Sequence, residues 1–278
     1  MTSTRERQRA AARARLEREM AERAAKARKR RQTQAIVGAA AVLVLVVAGT
    51  VWLATSLGGD DKKQNTAATA GNVQCAFTEV PKEGRPKQIK DVGLPPAQQV
   101  NKGTQTMTID TNLGPITAKI DRSLVPCTAG SFTQLASKGF FDNTKCHRLV
   151  TQGIQVLQCG DPSATGKGWR DTDGTGGPSY NLAEENLPTD KRPAYPEGVI
   201  AMANSGQPGS TGSQFFIVYG DSQLDPNYTV LGTITGGMDL VKQVAAAGDD
   251  GAFAQQAGGG HPKKEIVINK LSMSDIQG

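Results

Sequence analysis

Residues 146–161, CHRLVTQGIQVLQCGD, concentrate the side chains best suited to chemistry. Cys146 and Cys159 could hold a metal or pair with each other, while His147, Arg148, Gln158 and Asp161 could carry charge or exchange hydrogen bonds. Structural zinc takes four Cys or His ligands at short spacings. This chain has no CxxC, and its only other histidine is His261. Asp171 and Asp173 hint at calcium but supply too few oxygen ligands. No metal and no cofactor are expected. Arg148 is a permanently charged fork of donors, which taken alone reads as a surface ion pair. By strand alternation His147 faces away from Arg148, toward the interior or a neighbouring loop, which gives it a structural role.

Short alternating segments must position these residues. TQTMTID and GPITAKID flank the turn TNLG and read as a hairpin. CHRLV, VLQCGD, EGVIAMAN, SQFFIVYG, YTVLGTIT and EIVINKLSM bring the number of strands to eight. Helices are expected over 128–137, with Phe132, Leu135 and Ala136 on one face, and over 237–247, with Met238, Val241, Val244 and Ala245 at helical spacing. Gly139 and Gly248 follow as stop signals. The expected architecture is mainly β: a closed eight-stranded antiparallel barrel, which leaves no open edge, capped by two helices.

Charge separates this part from what precedes it. Residues 1–34 hold twelve Lys/Arg and four Asp/Glu, a net of +8, while the whole chain is +6. The remainder is slightly acidic, so the basic balance does not point to nucleic acid. Residues 35–57 are 23 residues without a charge. As a helix they would span roughly 34 Å, enough to cross a bilayer. The expected organisation is a basic cytoplasmic arm (1–34), a transmembrane helix (35–57), a linker and extension (58–103) and a β domain (104–278). Arg28, Lys29, Arg30 and Arg31 abut the apolar run and place the N-terminus in the cytoplasm of a single-pass cell-membrane protein. All four cysteines then lie outside, where two disulfides are expected. Cys127–Cys146 with Cys75–Cys159 is the preferred pairing, and a Cys146–Cys159 bridge across the hairpin is the rival.

The ordered motifs HRLV, LQCGD, GTGGPSY, GVIAMANSG, GSQFFIVYG and LDPNYTVLG resemble those of the cyclophilins, the peptidyl-prolyl cis-trans isomerases, over roughly residues 104–275. Arm, anchor and exported domain together resemble the membrane-tethered cyclophilins of actinobacteria. The resemblance implies isomerisation of X-Pro bonds in extracytoplasmic proteins. It implies Arg148 as the catalytic arginine, Gln158 as the residue that orients it, and Phe216 as the floor of the proline pocket. Ile154, Val156 and Leu224 match pocket walls. Ala203, Asn204, Gln214, Tyr228, Gly174 and Thr175 match the substrate groove. Alternation assigns the adjacent Phe215 to the core. The chain departs from the pattern in four places, one of them Tyr228 where the family has a histidine. Residues 154–156, IQV, lack the common aromatic, and the step from Arg148 to Gln158 is two residues longer than usual. Gln223 stands where many members carry the tryptophan that governs cyclosporin affinity, so drug binding should be weak. These departures also support an alternative, a proline-segment binding module with weak turnover. A third reading makes the basic arm an assembly surface.

Overall fold

The computed structural model describes residues 71–278. The basic arm, the expected membrane span at 35–57 and the first part of the linker lie outside the described residues. Among the described residues, no helix is long and apolar enough to cross a membrane.

Strands β5 (Thr104–Thr111) and β6 (Gly114–Asp121) form the expected hairpin, paired along their whole length. Met107, Ile109, Ile116, Ala118 and Ile120 are buried, and the residues between them point outward. Helix α1 (Pro126–Ser137) buries Ala129, Phe132 and Leu135. Proline suits its first turn, where backbone N–H groups lack helical partners. Two of those groups are satisfied from outside: Glu185 accepts from the N–H of Cys127 at 3.1 Å and of Thr128 at 2.8 Å. Helix α2 (Met238–Ala247) buries Val241 and Val244.

The remaining main strands are β7 (Thr144–Lys145), β8 (Arg148–Val150), β9 (Gln155–Cys159), β12 (Val199–Met202), β13 (Phe215–Gly220), β14 (Val230–Gly236) and β15 (Val267–Met273). They join β5 and β6 in one antiparallel sheet of order β7-β15-β5-β6-β14-β12-β13-β9-β8. This corrects the expectation of a closed eight-stranded barrel. The sheet has nine strands, and its edge strands β7 and β8 do not pair. The reason is covalent: only Cys146 and His147 separate β7 from β8, so the chain itself steps across the seam where a ladder would have to close.

The extension before β5 is ordered by pairing onto the domain. β1 (Asn72–Gln74) pairs with β4 (Gln98–Val100), β2 (Phe77–Glu79) with β11 (Tyr180–Leu182), and β3 (Ile89–Lys90) runs parallel to β10 (Gly177–Pro178). This path decides the disulfides, which are Cys75–Cys127 and Cys146–Cys159. The preferred pairing was therefore wrong and its rival holds. Arg148 lies opposite Gln158 in the β8–β9 register, which brings Cys146 and Cys159 to one end of the hairpin. The extension meanwhile lays Cys75 against the first turn of α1.

Candidate active site

The sheet presents two faces with separate apolar clusters. Phe215 packs in the main core against Phe132 and Phe141. Phe216, one residue on, points the other way and joins Val150, Val156, Tyr195, Ala201 and Val218. On that side lies a cavity of about 570 Å³. Arg148, Gln158, Phe216, Ile154, Val156, Ala203, Asn204, Leu224, Tyr228, Gly174 and Thr175 all line it. Gln214 lines an adjoining cavity instead. Arg148 and Gln158 lie opposite each other in the β8–β9 register, and residues 151–154 connect the two strands. Ile154 and Val156 form a wall, and Gln223 is exposed.

Aromatic rings shape the apolar half. Phe216 and Tyr228 meet edge to face at 5.5 Å, and Tyr195 touches both, at 6.1 and 6.0 Å. Tyr195 is fully buried and fixes Tyr228 through its backbone. Its hydroxyl donates to the Tyr228 carbonyl and accepts from the Tyr228 N–H, each at 2.9 Å. Burial pushes the Tyr195 phenol up to about 12, so it stays neutral.

The polar half is a relay that ends on Arg148. Arg148 donates from one terminal nitrogen to Gln158 Oε1 at 3.0 Å. Gln158 Nε2 donates to Gln214 Oε1 at 2.9 Å, and Gln214 Nε2 donates to the carbonyls of Gly174 and Gly176 at 2.8 and 2.9 Å. Buried Asp161 accepts from the N–H of Gly174 at 2.5 Å and of Gly176 at 3.1 Å. Each amide is thus oriented by its neighbour.

A second hold on Arg148 comes from residues 249–261. Arg148 Nε donates to Gly258 O at 3.1 Å, and the other terminal nitrogen donates to Ala257 O. This loop is bridged to β8, where Leu149 and Gly260 exchange both backbone bonds, at 2.8 and 3.0 Å. Gly259 makes the approach possible: it has φ +71°, and a Cβ there would strike the Leu149 carbonyl. Asp250 accepts from the His261 N–H at 2.8 Å and meets its Nδ1 at 2.9 Å. The His261 ring stacks on Trp169 at 4.5 Å and meets the Phe253 ring at 4.7 Å.

Three of the five guanidinium N–H groups are therefore committed, and two remain for a ligand. All three acceptors are neutral, and no carboxylate among the described residues hydrogen-bonds to the guanidinium. Burial lowers the Arg148 pKa, but arginine stays protonated in proteins. The arrangement is an apolar slot with a fixed, uncancelled cation at its rim.

His147 is 2% exposed, lies against Gly174, and neither ring nitrogen has a partner. Burial is the main reason its pKa falls to about 4; Asp161 and Asp173 oppose the shift, while Arg148 and His261 add to it. It is neutral near pH 7 and supports the loop that carries Gly174.

A family model for "Cyclophilin type peptidyl-prolyl cis-trans isomerase/CLD" matches residues 106–273. The chain belongs to the cyclophilins. A probable peptidyl-prolyl cis-trans isomerase B of Mycobacterium leprae is 42% identical over 201 residues, 67% of this chain and 63% of that protein. Its Mycobacterium tuberculosis namesake is 40% identical over 199 residues, 66% of this chain and 60% of that protein. The chain thus spans about three-fifths of the length of these relatives. The crystal structure of a cyclophilin-type peptidyl-prolyl isomerase from Cryptosporidium parvum superposes with TM-score 0.51 at 26% identity, covering 63% of this chain and 99% of the other.

Within this cyclophilin, sequence reasoning missed the loop residues Phe253, Gln256 and Ala257, which also line the cavity, and Tyr195, which packs behind Phe216 and Tyr228. FAQQA, residues 253–257, sits in a glycine-rich stretch with no periodicity to flag it. Asp171 and Asp173, weighed above only as calcium ligands, reach the cavity.

Proposed function

We propose that the chain isomerises X-Pro bonds in extracytoplasmic proteins, held at the cell membrane by residues 35–57. The observation that carries this reading is the uncancelled Arg148 cation, with two free donors, beside the Phe216 slot. Rotation about a peptide bond meets a barrier of about 18–20 kcal/mol because amide resonance must be broken. No bond is made or cleaved. As the bond twists, the lone pair localises on the prolyl nitrogen, and a donor placed there binds the twisted state better than either planar one. Arg148 is that donor, and Gln158 holds its aim. The ring is seated against Phe216, Ile154, Val156, Leu224 and Tyr228, while Ala203, Asn204, Gly174 and Thr175 edge the path of the flanking chain.

The anchoring part of the proposal rests on the uncharged 23-residue run and the basic arm before it. Two disulfides among the described residues suit an oxidising compartment. Cyclosporin binding is expected to be weak because Gln223 is exposed and offers no ring to the cavity.

The test follows cis-trans exchange of an Ala-Pro peptide with the chain and with Arg148→Ala. Losing about 3 kcal/mol of transition-state stabilisation slows catalysis by roughly 100-fold. Equal rates for both proteins and the blank would refute the enzyme reading and leave the binding module. Membrane fractionation with and without residues 35–57 tests the anchor: the truncated chain should turn up in the soluble fraction.

A further inference from the structure

We propose that the extension, helix α1 and the segment after β15 enclose a second ligand site, which takes a monoanionic carboxylate with an apolar body on the guanidinium of Arg122. That chemistry belongs to a free organic acid or to the C-terminal end of a peptide. The cavity measures about 560 Å³ and shares no lining residue with the cavity around Phe216. Its size suits a small molecule. The β4 wall precedes the residues matched by the family model, 106–273, and Ser274, Asp275 and Ile276 follow them. The matched domain alone would leave the cavity open on two sides.

Arg122 lines this cavity while only 3% exposed. Its Nε donates to Val100 O at 2.9 Å. Its two terminal nitrogens donate to Gln105 Oε1 at 2.6 Å and to Gln99 Oε1 at 3.0 Å. Both amides are fixed in turn. Gln105 Nε2 donates to Ser274 O at 2.7 Å, and Gln99 Nε2 donates to Pro96 O at 2.6 Å. Gly130 lets the Gln99 amide lie against α1, because a Cβ there would strike it. Three of the five guanidinium N–H groups are thus taken, and the other two have no acceptor among the described residues.

A tie between extension and domain needs no charge. Where Arg85 ties the neighbouring loop, it pairs with a carboxylate, Asp91, at 3.1 Å. Arg122 enters no salt bridge among the described residues. Burial lowers its pKa, and the charge opposing that shift, Glu185, is already engaged by the N–H groups of Cys127 and Thr128. A buried cation is costly until an anion pairs with it, and a carboxylate matches the guanidinium fork two bonds at a time. One cation calls for one negative charge. Asp275, on the exposed rim, is the one lining carboxylate and repels a second. Val100, Met273 and Ile276 supply the carbon surface, and Ile276 is 39% exposed despite its size. An apolar body on the ligand would cover it.

The experiment titrates the full chain with N-acetyl-leucine, N-acetyl-leucinamide, inorganic phosphate, and the peptide Gly-Gly-Gly-Leu with a free or an amidated C-terminus. Binding is followed by calorimetry and by NMR of the Gln99 and Gln105 side-chain amides and the Arg122 Nε–H. Both free acids should saturate, and each should bind roughly tenfold or more tightly than its amide, because the charge-assisted bonds to Arg122 are lost. Arg122→Gln should weaken the acids by a similar factor and leave the amides unchanged. That change also loosens β4, so Thr133→Trp serves as a second variant. It starts from an exposed position on α1, fills the cavity, and should abolish binding while the urea midpoint and the rate of prolyl exchange stay unchanged. The tighter of the two acids identifies the source, a peptide end or a small acid, and either supports the site. Equal binding of acid and amide would overturn the proposal. So would phosphate binding as tightly as N-acetyl-leucine, undiminished binding in both variants, or no saturation by either acid below about 20 mM.

Discussion

His147 gives the chain a specific acid sensitivity. Its ring is 2% exposed and has no hydrogen-bond partner, and burial lowers its pKa to about 4. In the unfolded chain the value returns to about 6.5. Above pH 6.5 neither state holds the proton, and stability does not depend on this group. Between 6.5 and 4 the unfolded chain takes up a proton that the folded chain refuses, so stability falls as pH falls. Below 4 both states are protonated and the loss levels off. Linkage with these two values gives a loss of about 2 kcal/mol between pH 7 and pH 5, and roughly 3 kcal/mol in full. The assay is urea denaturation of the chain and of His147→Asn at pH 7, 6 and 5, a window above the usual carboxylate range. The variant will differ in absolute stability, because the ring fills space beside Gly174. The informative quantity is the slope with pH, which should flatten by about 2 kcal/mol over the window in the variant. NMR should also show the His147 ring neutral at pH 5. Parallel slopes for the two proteins, or a His147 titration midpoint near 6.5, would refute the reasoning.

Gln158→Leu should lower kcat/KM roughly tenfold to 100-fold, because one charge-assisted hydrogen bond that aims Arg148 disappears; a change under twofold in peptide exchange would show that the loop carbonyls suffice. Tyr195→Phe removes both bonds to the Tyr228 backbone and should cost about 2 kcal/mol in urea denaturation while raising KM; unchanged values would mean that ring packing alone holds Tyr228. The Cys75–Cys127 and Cys146–Cys159 links close separations of 52 and 13 residues. The chain-entropy treatment puts their removal at about 4 and about 3 kcal/mol, so Cys75→Ser with Cys127→Ser should be the more destabilising pair. Mass mapping of nonreduced peptides should recover these two links, and any other pairing would overturn the disulfide assignment.

The residues that line the cavity were legible where strand alternation applied. Met107 and Ile109, or Phe215 and Phe216, declare their faces by position alone, and each of the eight expected strands and both expected helices has a counterpart in the fold. Arg148 and Gln158 came from motif order. The structure adds their register and the hydrogen bond between them. What stayed hidden depends on contacts distant in sequence. β7 is two residues long, too short to carry a period, so the unclosed seam left no trace. The extension strands are two or three residues each and exist only because they pair with β4, β10 and β11. The disulfide pairing followed that path, which is why reasoning from helix and strand starts chose wrongly. Tyr195 acts through a hydroxyl that reaches a backbone 33 residues away, a contact no local pattern encodes.

The loop at 249–261 raises the question of why Arg148 is held by carbonyls and an amide when a carboxylate would grip it more tightly. A carboxylate within contact distance would neutralise the guanidinium and compete with the prolyl nitrogen for its donors. Neutral acceptors fix the direction of the fork and leave the charge uncancelled. The energetic cost falls on burial of a cation that has no salt-bridge partner among the described residues, which lowers the Arg148 pKa but cannot discharge an arginine. For a reaction without a covalent step, rate depends on where that charge sits, and a displacement of about 1 Å can cost on the order of 100-fold. Three segments meet at this one side chain: the β8–β9 hairpin, the relay from Gly174 through Gln214, and the loop closed by Asp250 and His261. Two of the three contacts on the guanidinium are backbone carbonyls, which no side-chain substitution removes directly. Changes at Gly259 or His261 should therefore act on turnover through the position of Arg148, from sites that never touch the substrate.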